Sequence, residues 1–353
     1  MQTRAHVTMV NNRKRRRRMG LIGLLSVSDW LTIFKQIKNW LKYWRFPSIV
    51  YYIPPTVAHN DYYARLQIGL ETEIDNRGKD VWWRYCPPRG KTDWDIYLRL
   101  EQVLKDVRPS DLIVIVPKGL HDRETETRVR ERLNEHPSAR IVFLDQPPPE
   151  GFLRDKRYSF VGVDNRKVGI LAAFALHERL AKADKYKYCV VKGPGGDERF
   201  DGFVEGVRFF DSKADVDRFD IGDVDRLDSL EKIKAYIQNY TAATSIGIFA
   251  GNDETATAVL WALRHLSGRN AGNAFVVGCD ATREMRLIVR DPNTGAIATI
   301  DTKLGDQAHK TIQAIQEPVR HFQEPKLDPD DLDIKFEKLL QDPKFEKLWE
   351  KAR

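Results

Sequence analysis

"IFAGNDETATAVLWALRHL", residues 248–266, begins as an apolar strand, places Gly251, Asn252, Asp253 and Glu254 at its tip, and continues with apolar residues at helical spacing. A short continuous apolar run suits a strand buried on both faces, and a polar tip suits the start of a helix. The stretch reads as one strand–turn–helix unit. Glu254 matches the positive end of the helix dipole, and Asn252 or Asp253 can cap the free N–H groups. Asn252, nearest the strand tip, is the residue expected to face a cleft beyond the sheet.

The same unit repeats in both directions. Candidate strands at 48–53, 81–85, 112–116, 140–144, 159–163, 188–191, 246–250, 274–279 and 296–300 are nearly all continuous apolar runs, with helical patterns such as 62–76, 94–107, 167–182, 197–210 and 254–266 between them. This alternation predicts an α/β protein with parallel sheets covered by helices on both sides. The chain has 353 residues, 42% of them hydrophobic and 10% aromatic, which is ordinary globular usage for two domains or one two-lobed unit. The strand count fits two smaller doubly wound sheets better than one large sheet, and in such sheets ligands bind beyond the carboxyl ends of the strands.

Those ends carry a recurrent set of polar residues. The first strand is followed by "HNDYY" (59–63), the fourth by Asp145 and Gln146, the fifth by "DNR" (164–166), and the sixth by "GPGGDERFDGF" (193–203). Asn252 and Asp253 follow the seventh, Asp280 the eighth, and Asp301 and Thr302 the ninth. Helix capping accounts for any one of these positions, but their recurrence at seven strand ends points to a shared site. Carboxylates and amides engage neighbouring hydroxyls, Arg199 is a fork-shaped donor, and Tyr62 and Tyr63 offer flat apolar faces. Such a set suits a small polyhydroxylated ligand.

Taken in order, "SFVGVDNRKVGILAAFAL", "GPGGDERFDGFVEGV", "IFAGNDETATAVLWAL", "VVGCDATREM" and "AIATIDTKLGDQAHKTI" resemble the type I periplasmic binding proteins of the ribose-binding group, whose fold also forms the core of LacI-type repressors. The resemblance spans roughly residues 48–340. It implies two Rossmann-like lobes with parallel sheets, joined by a three-strand hinge, that close around a sugar by hinge motion. Carried over position by position, it implies ligand contacts from Asn60, Tyr62, Tyr63, Asp145, Asp164, Arg199, Asn252 and Asp280, with Thr302 at the hinge position. Arg199 and Asn252 would donate to ring or hydroxyl oxygens, and Asp145 and Asp280 would accept from hydroxyls. Three positions depart from the family's pattern: Gln146 stands where Arg is usual, Thr302 where Gln is frequent, and Val224 where an aromatic is frequent. These departures leave the particular sugar open.

The same matches divide the chain into a basic N-terminal segment (1–47), a first lobe (48–164 plus 303–320), a second lobe (165–302) and a C-terminal strand and helix (321–353). The last strand is placed at 332–340, and "PKFEKLWEKAR" (343–353) reads as a surface helix.

Most of the formal charge of +7 comes from Arg13, Lys14, Arg15, Arg16, Arg17 and Arg18, so the body is nearly neutral. The run reads first as a solvated tail and second as a contact for phosphate or anionic lipid. "MGLIGLLSVS" (19–28) gives the outline of a secretory signal, whereas 29–46 reads as an amphipathic basic helix capped by Asp29 and too interrupted to span a bilayer. That helix suits packing on the protein's own body as well as a membrane surface or a partner. Two locations follow: the periplasm or cell envelope, with a membrane permease as partner, and the cytoplasm at the membrane face, with a sensor partner.

Catalysis has little support. The chain has no Gly-x-Ser-x-Gly turn and no phosphate loop, and its eight histidines lack metal-ligand spacing. Cys86, Cys189 and Cys279 form no pair motif and read as core residues. No cofactor or metal is expected on these motifs, and no nucleic acid either, because the 47 residues before the first strand read as an arginine run and a Trp-rich helix rather than a helix-turn-helix. The expectation is a non-catalytic sugar-binding protein of an ABC transport system, with a ligand sensor built on the same core as the alternative.

Overall fold

The computed structural model describes residues 48–352 apart from 57–60, 79–80, 91, 118–121, 193–196, 221–225, 239–243, 266–272, 317–319, 324 and 329. Asn60, Val224, the glycine-rich stretch 193–196 and the whole segment 1–47 therefore lie outside the described residues.

Among the described residues, two six-stranded sheets organise the chain. The first holds β1 (Ser48–Ile53), β2 (Val81–Tyr85), β3 (Leu112–Ile115), β4 (Arg140–Leu144), β5 (Tyr158–Val163) and β11 (Arg320–Gln323). Its order is β11-β5-β4-β3-β1-β2, and every pairing is parallel. The second holds β6 (Tyr186–Lys192), β7 (Val216–Asp220), β8 (Ser245–Ala250), β9 (Ala274–Cys279), β10 (Ala296–Asp301) and β12 (Lys326–Asp328). Its order is β12-β10-β9-β8-β6-β7, parallel except for the antiparallel edge strand β12.

Twelve helices cover these sheets among the described residues: α1 (Asp61–Asn76), α2 (Asp93–Leu104), α3 (Arg123–Asn134), α4 (Glu150–Leu153), α5 (Asn165–Leu180), α6 (Asp197–Phe210), α7 (Arg226–Gln238), α8 (Asp253–His265), α9 (Arg283–Val289), α10 (Leu304–Gln313), α11 (Asp330–Leu339) and α12 (Pro343–Lys351). Alternate residues of each central strand point to opposite faces, which is why β1 buries Tyr51 and Ile53 against α2, and Val50 and Tyr52 against α1 and α10. The second sheet repeats the scheme, with α5 and α6 on one face and α7, α8 and α9 on the other.

The chain passes between the two sheets three times: at Asp164 after β5, at Thr302 and Lys303 after β10, and between β11 and β12. α10, although it follows a strand of the second sheet, packs on the first, where Arg140 of β4 donates to Ala314 O and Ile315 O at its carboxyl end. α5 and α6 approach so closely that a Cβ on Gly169 would collide with Arg199 O, and one on Gly202 with Arg166 O. Only glycine admits that contact.

The C-terminal region corrects the sequence reading. Residues 332–340 lie largely in α11 instead of a strand, because Phe336, Leu339 and Leu340 recur at helical spacing and pack on the second-lobe core. The two C-terminal strands are instead β11 and β12, one in each sheet. α12 is more than a surface helix, since Phe345 and Trp349 are buried and join Phe174, Phe209, Phe210 and Phe336 in an aromatic cluster.

Candidate functional site

The first lobe brings Tyr62 and Tyr63, in the first turn of α1, to Asp145 at the tip of β4. Tyr62 Oη donates to Asp145 Oδ1 at 2.7 Å and Tyr63 Oη to Oδ2 at 3.1 Å, and the two rings meet edge to face at 5.0 Å. Burial and the adjacent carboxylate push both phenols well above their ordinary pKa, so they remain hydrogen-bond donors. Asp145 itself is buried and takes a left-handed backbone, φ 70°, a conformation uncommon outside glycine and enriched at functional sites.

The second lobe answers with Asp280 at the tip of β9. It too is buried and left-handed, with φ 101°, and Ala281 follows at φ 46°. Arg199, on α6, places Nη1 3.6 Å from Asp280 Oδ1. Its fork is aimed by two acceptors: Asn165 Oδ1 takes Nε at 2.7 Å, and Gly251 O takes Nη1 at 2.6 Å. Burial raises the pKa of Asp280, Arg199 pulls it back, and the charge of Asp145 raises it further. Asp145 on one lobe thus acts on Asp280 on the other. Arg65, on α1, joins them directly by donating from Nη1 to Asp280 O at 3.0 Å.

Asp253 underlies this edge. Its side chain is buried at 2% exposure, Oδ1 accepts from Thr299 Oγ1 at 2.8 Å, and Oδ2 accepts from Thr282 N at 2.7 Å. Thr299 Oγ1 in turn accepts from Ala281 N at 3.2 Å. Gly278 leaves the space that this carboxylate fills, since a Cβ there would collide with Asp253 Oδ1. Burial, then the charge of Asp280, raise Asp253 to about 8 against the pull of its hydrogen bonds to Thr282 and Thr299.

The structure brings five of the nine expected residues together: Tyr62, Tyr63, Asp145, Arg199 and Asp280. Asn252 stands beside them, one residue past the Gly251 carbonyl that anchors Arg199, but its Oδ1 caps α8 by accepting from Thr255 N at 2.8 Å. Asp164 likewise caps α5, accepting from Lys167 N at 3.1 Å. Thr302 is fully buried at the second crossing, where its carbonyl accepts from Gln307 Nε2 at 2.7 Å and its hydroxyl has no hydrogen-bond partner.

Two expectations change in kind. Tyr62 and Tyr63 are donors to Asp145 as well as flat faces, and both Asp145 oxygens already accept from the protein. Sequence reasoning missed Arg65, Asn165 and the tying role of Asp253. Arg65 sits three residues after Tyr62, on the same helical face, and that spacing was the available signal. The three cysteines are buried, as expected of core residues. Among the described residues, no group of three or more His, Cys, Asp or Glu side chains could hold a metal ion.

Two α/β lobes meeting over opposed strand ends define a two-lobed binding fold. Residues 127–319, more than half of the chain, match the family described as periplasmic binding protein domain, and the chain belongs to that family. Among solved structures, an ABC transporter solute-binding protein from Actinobacillus succinogenes with bound D-allose is similar at TM-score 0.65 and 18% identity, covering 82% of this chain and 99% of that one. A solute-binding protein from Bacillus halodurans with bound myo-inositol gives TM-score 0.64 and 14% identity, over 82% of this chain and 97% of that one. The cellobiose complex of a transcriptional regulator gives 0.59 and 18%, over 86% of this chain and 90% of that one. At these identities the likeness is one of fold. No curated protein matches the sequence.

Proposed function

We propose that the chain is a non-catalytic binding protein whose cleft closes around a small polyhydroxylated ligand, monosaccharide-like in size, and delivers it to a membrane permease of an ABC system in the cell envelope. One observation carries this reading: Tyr62, Tyr63 and Asp145 from one lobe oppose Arg199 and Asp280 from the other, with Arg65 crossing between them. In the proposed complex, Arg199 and the Asn252 amide nitrogen donate to ligand oxygens, Asp280 accepts from hydroxyls, and the tyrosine rings cover the C–H face of a sugar ring. The lobes divide at the crossings, with the first lobe at 48–164 plus 303–320 and the second at 165–302. The solute-binding neighbours, with sugars and polyols bound, support the same class of ligand.

The test is a thermal-shift panel of D-allose, D-arabinose, D-glucose, D-galactose, myo-inositol, glycerol and cellobiose. A ligand at about 100 times its dissociation constant stabilises the fold by about 2.7 kcal/mol. A panel without any shift would remove the carbohydrate assignment and leave the fold standing.

The neighbouring regulator supports a second reading, a ligand sensor at the cytoplasmic membrane face. Among the described residues no helix is long and apolar enough to cross a membrane, which fits either reading. Cell fractionation with N-terminal sequencing separates them: a chain retained in the cytoplasm with Met1 intact sinks the transport reading.

A further inference from the structure

Arg286, on α9, is absent from the ligand contacts proposed above, yet its guanidinium joins three segments. Nε donates to Ala281 O at 2.9 Å, Nη2 donates to Asp301 Oδ2 at 2.8 Å, and Nη1 lies 2.9 Å from Asp328 Oδ2. Ala281 directly follows Asp280, and both hold positive φ. Asp301 is the last residue of β10, and its other oxygen, Oδ1, accepts from Lys303 N at 2.7 Å, so this carboxylate also shapes the second crossing. Lys303 is itself left-handed, φ 51°. Asp328 ends β12, the strand that the chain enters after its third crossing. One planar fork therefore spans the ligand-facing strand end and two of the three crossings.

Left-handed residues other than glycine persist only where their surroundings over-determine them. Here the Asp280–Ala281 pair is held at every polar backbone group: Asp280 N donates to Ile300 O, Asp280 O accepts from Arg65, Ala281 N donates to Thr299 Oγ1, and Ala281 O accepts from Arg286. Of these holds, Arg286 is the one that also grips the hinge. A guanidinium presents its donors in fixed directions. A displacement of Asp301 or Asp328 during hinge motion must therefore either carry Ala281 with it or break a bond.

We infer that Arg286 is a positioning residue that couples the hinge crossings to the Asp280 strand end, so that lobe closure and the placement of the Asp280 carboxylate change together. The inference rests on reading the cleft as a ligand site that closes by hinge motion, and its test needs no ligand. The native cysteines are all buried, so cysteines introduced by Glu131→Cys on α3 and Arg208→Cys on α6, both exposed, take spin labels selectively in the two lobes.

Pulsed electron–electron resonance on the full chain then reads the distance between the lobes. Arg286→Ala should shift the distribution to longer distances and broaden it, and Arg286→Lys, which replaces the fork by a single point of donation, should fall between. In the Asp301→Asn/Asp328→Asn background, Arg286→Ala should add little. Arg166→Ala is the control, since it breaks the Arg166–Glu205 pair within the second lobe and should lower the melting temperature without moving the distribution.

A wild-type distribution in folded Arg286→Ala overturns the inference. If that variant fails to fold, a wild-type distribution in both Arg286→Lys and Asp328→Asn overturns it equally. A sugar panel without a hit leaves the distance result standing, whereas a hit combined with unchanged distances removes the coupling and keeps the binding function.

Discussion

Asp145 and Asp280 occupy equivalent places in the two lobes: each follows a central strand, each is buried, and each has positive φ. Their surroundings differ. Asp145 is met by two neutral donors from its own lobe, Tyr62 and Tyr63. Asp280 faces the mostly covered guanidinium of Arg199, and its carbonyl is held by Arg65 from the opposite lobe. The first carboxylate is satisfied locally and belongs to a preformed wall. The second lies where the two lobes meet, and its carbonyl is bonded from the opposite lobe.

Four predictions press on this contrast. Asp280→Ala has the largest expected effect, because it leaves the Arg199 guanidinium, only 13% exposed, without its carboxylate. Removing one partner of a buried pair costs about 3–5 kcal/mol, measurable by denaturant unfolding, and the same variant should lose any ligand-induced thermal shift. Next comes Gly202→Ala, which drives a methyl group into α5 at Arg166 O and displaces the helix carrying Arg199. Overpacking of this kind costs about 1–3 kcal/mol, and a neutral result would show that the helices can part.

Tyr62→Phe removes one hydrogen bond to Asp145 and retains the ring. About 1–2 kcal/mol is expected from calorimetry, and a loss as large as that of Asp280→Ala would erase the contrast between the lobes.

The last prediction is a slope with pH, read one pH unit at a time, rather than a single step. Asp253 has a folded pKa of about 8, above the ordinary value of about 3.9, so the fold favours its protonated form. Its contribution is complete below about pH 4 and is lost as the pH rises through about 8, with a slope of at most ~1.4 kcal/mol per pH unit. Asp253→Asn should flatten stability across that window, and an unchanged slope would assign the dependence to another group.

What was legible in the sequence follows burial. All nine candidate strands are present: eight are central strands, which are covered on both faces and apolar throughout, and the ninth, β2, lies at an edge and was visible through its aromatic run VWWRY. β7, with the sequence VDRFD, and the short β11 and β12 were not anticipated. All three lie at sheet edges and carry no continuous apolar run. α3 gives a weak apolar stripe, since only Val129 and Leu133 of its residues are buried. The polar tips that end the central strands were visible for the same reason as the strands themselves: they interrupt an apolar pattern.

Roles within those tips were less visible. Asn252 and Asp253 look interchangeable in sequence, yet Asn252 caps α8 while Asp253 turns inward to Thr299 and Thr282. Arg65 lies on an ordinary helical face until the second lobe arrives opposite it.

Sequence by itself determined the two-sheet α/β architecture and the strand ends that carry the polar set, because period and burial are local properties of the chain. Tertiary structure alone decided which polar side chains cap helices, which meet between the lobes, and that the Arg286 guanidinium bonds Ala281, Asp301 and Asp328 together. Those assignments join residues such as Arg65 and Asp280, 215 positions apart, and only the packing of one lobe against the other brings such partners within hydrogen-bonding distance.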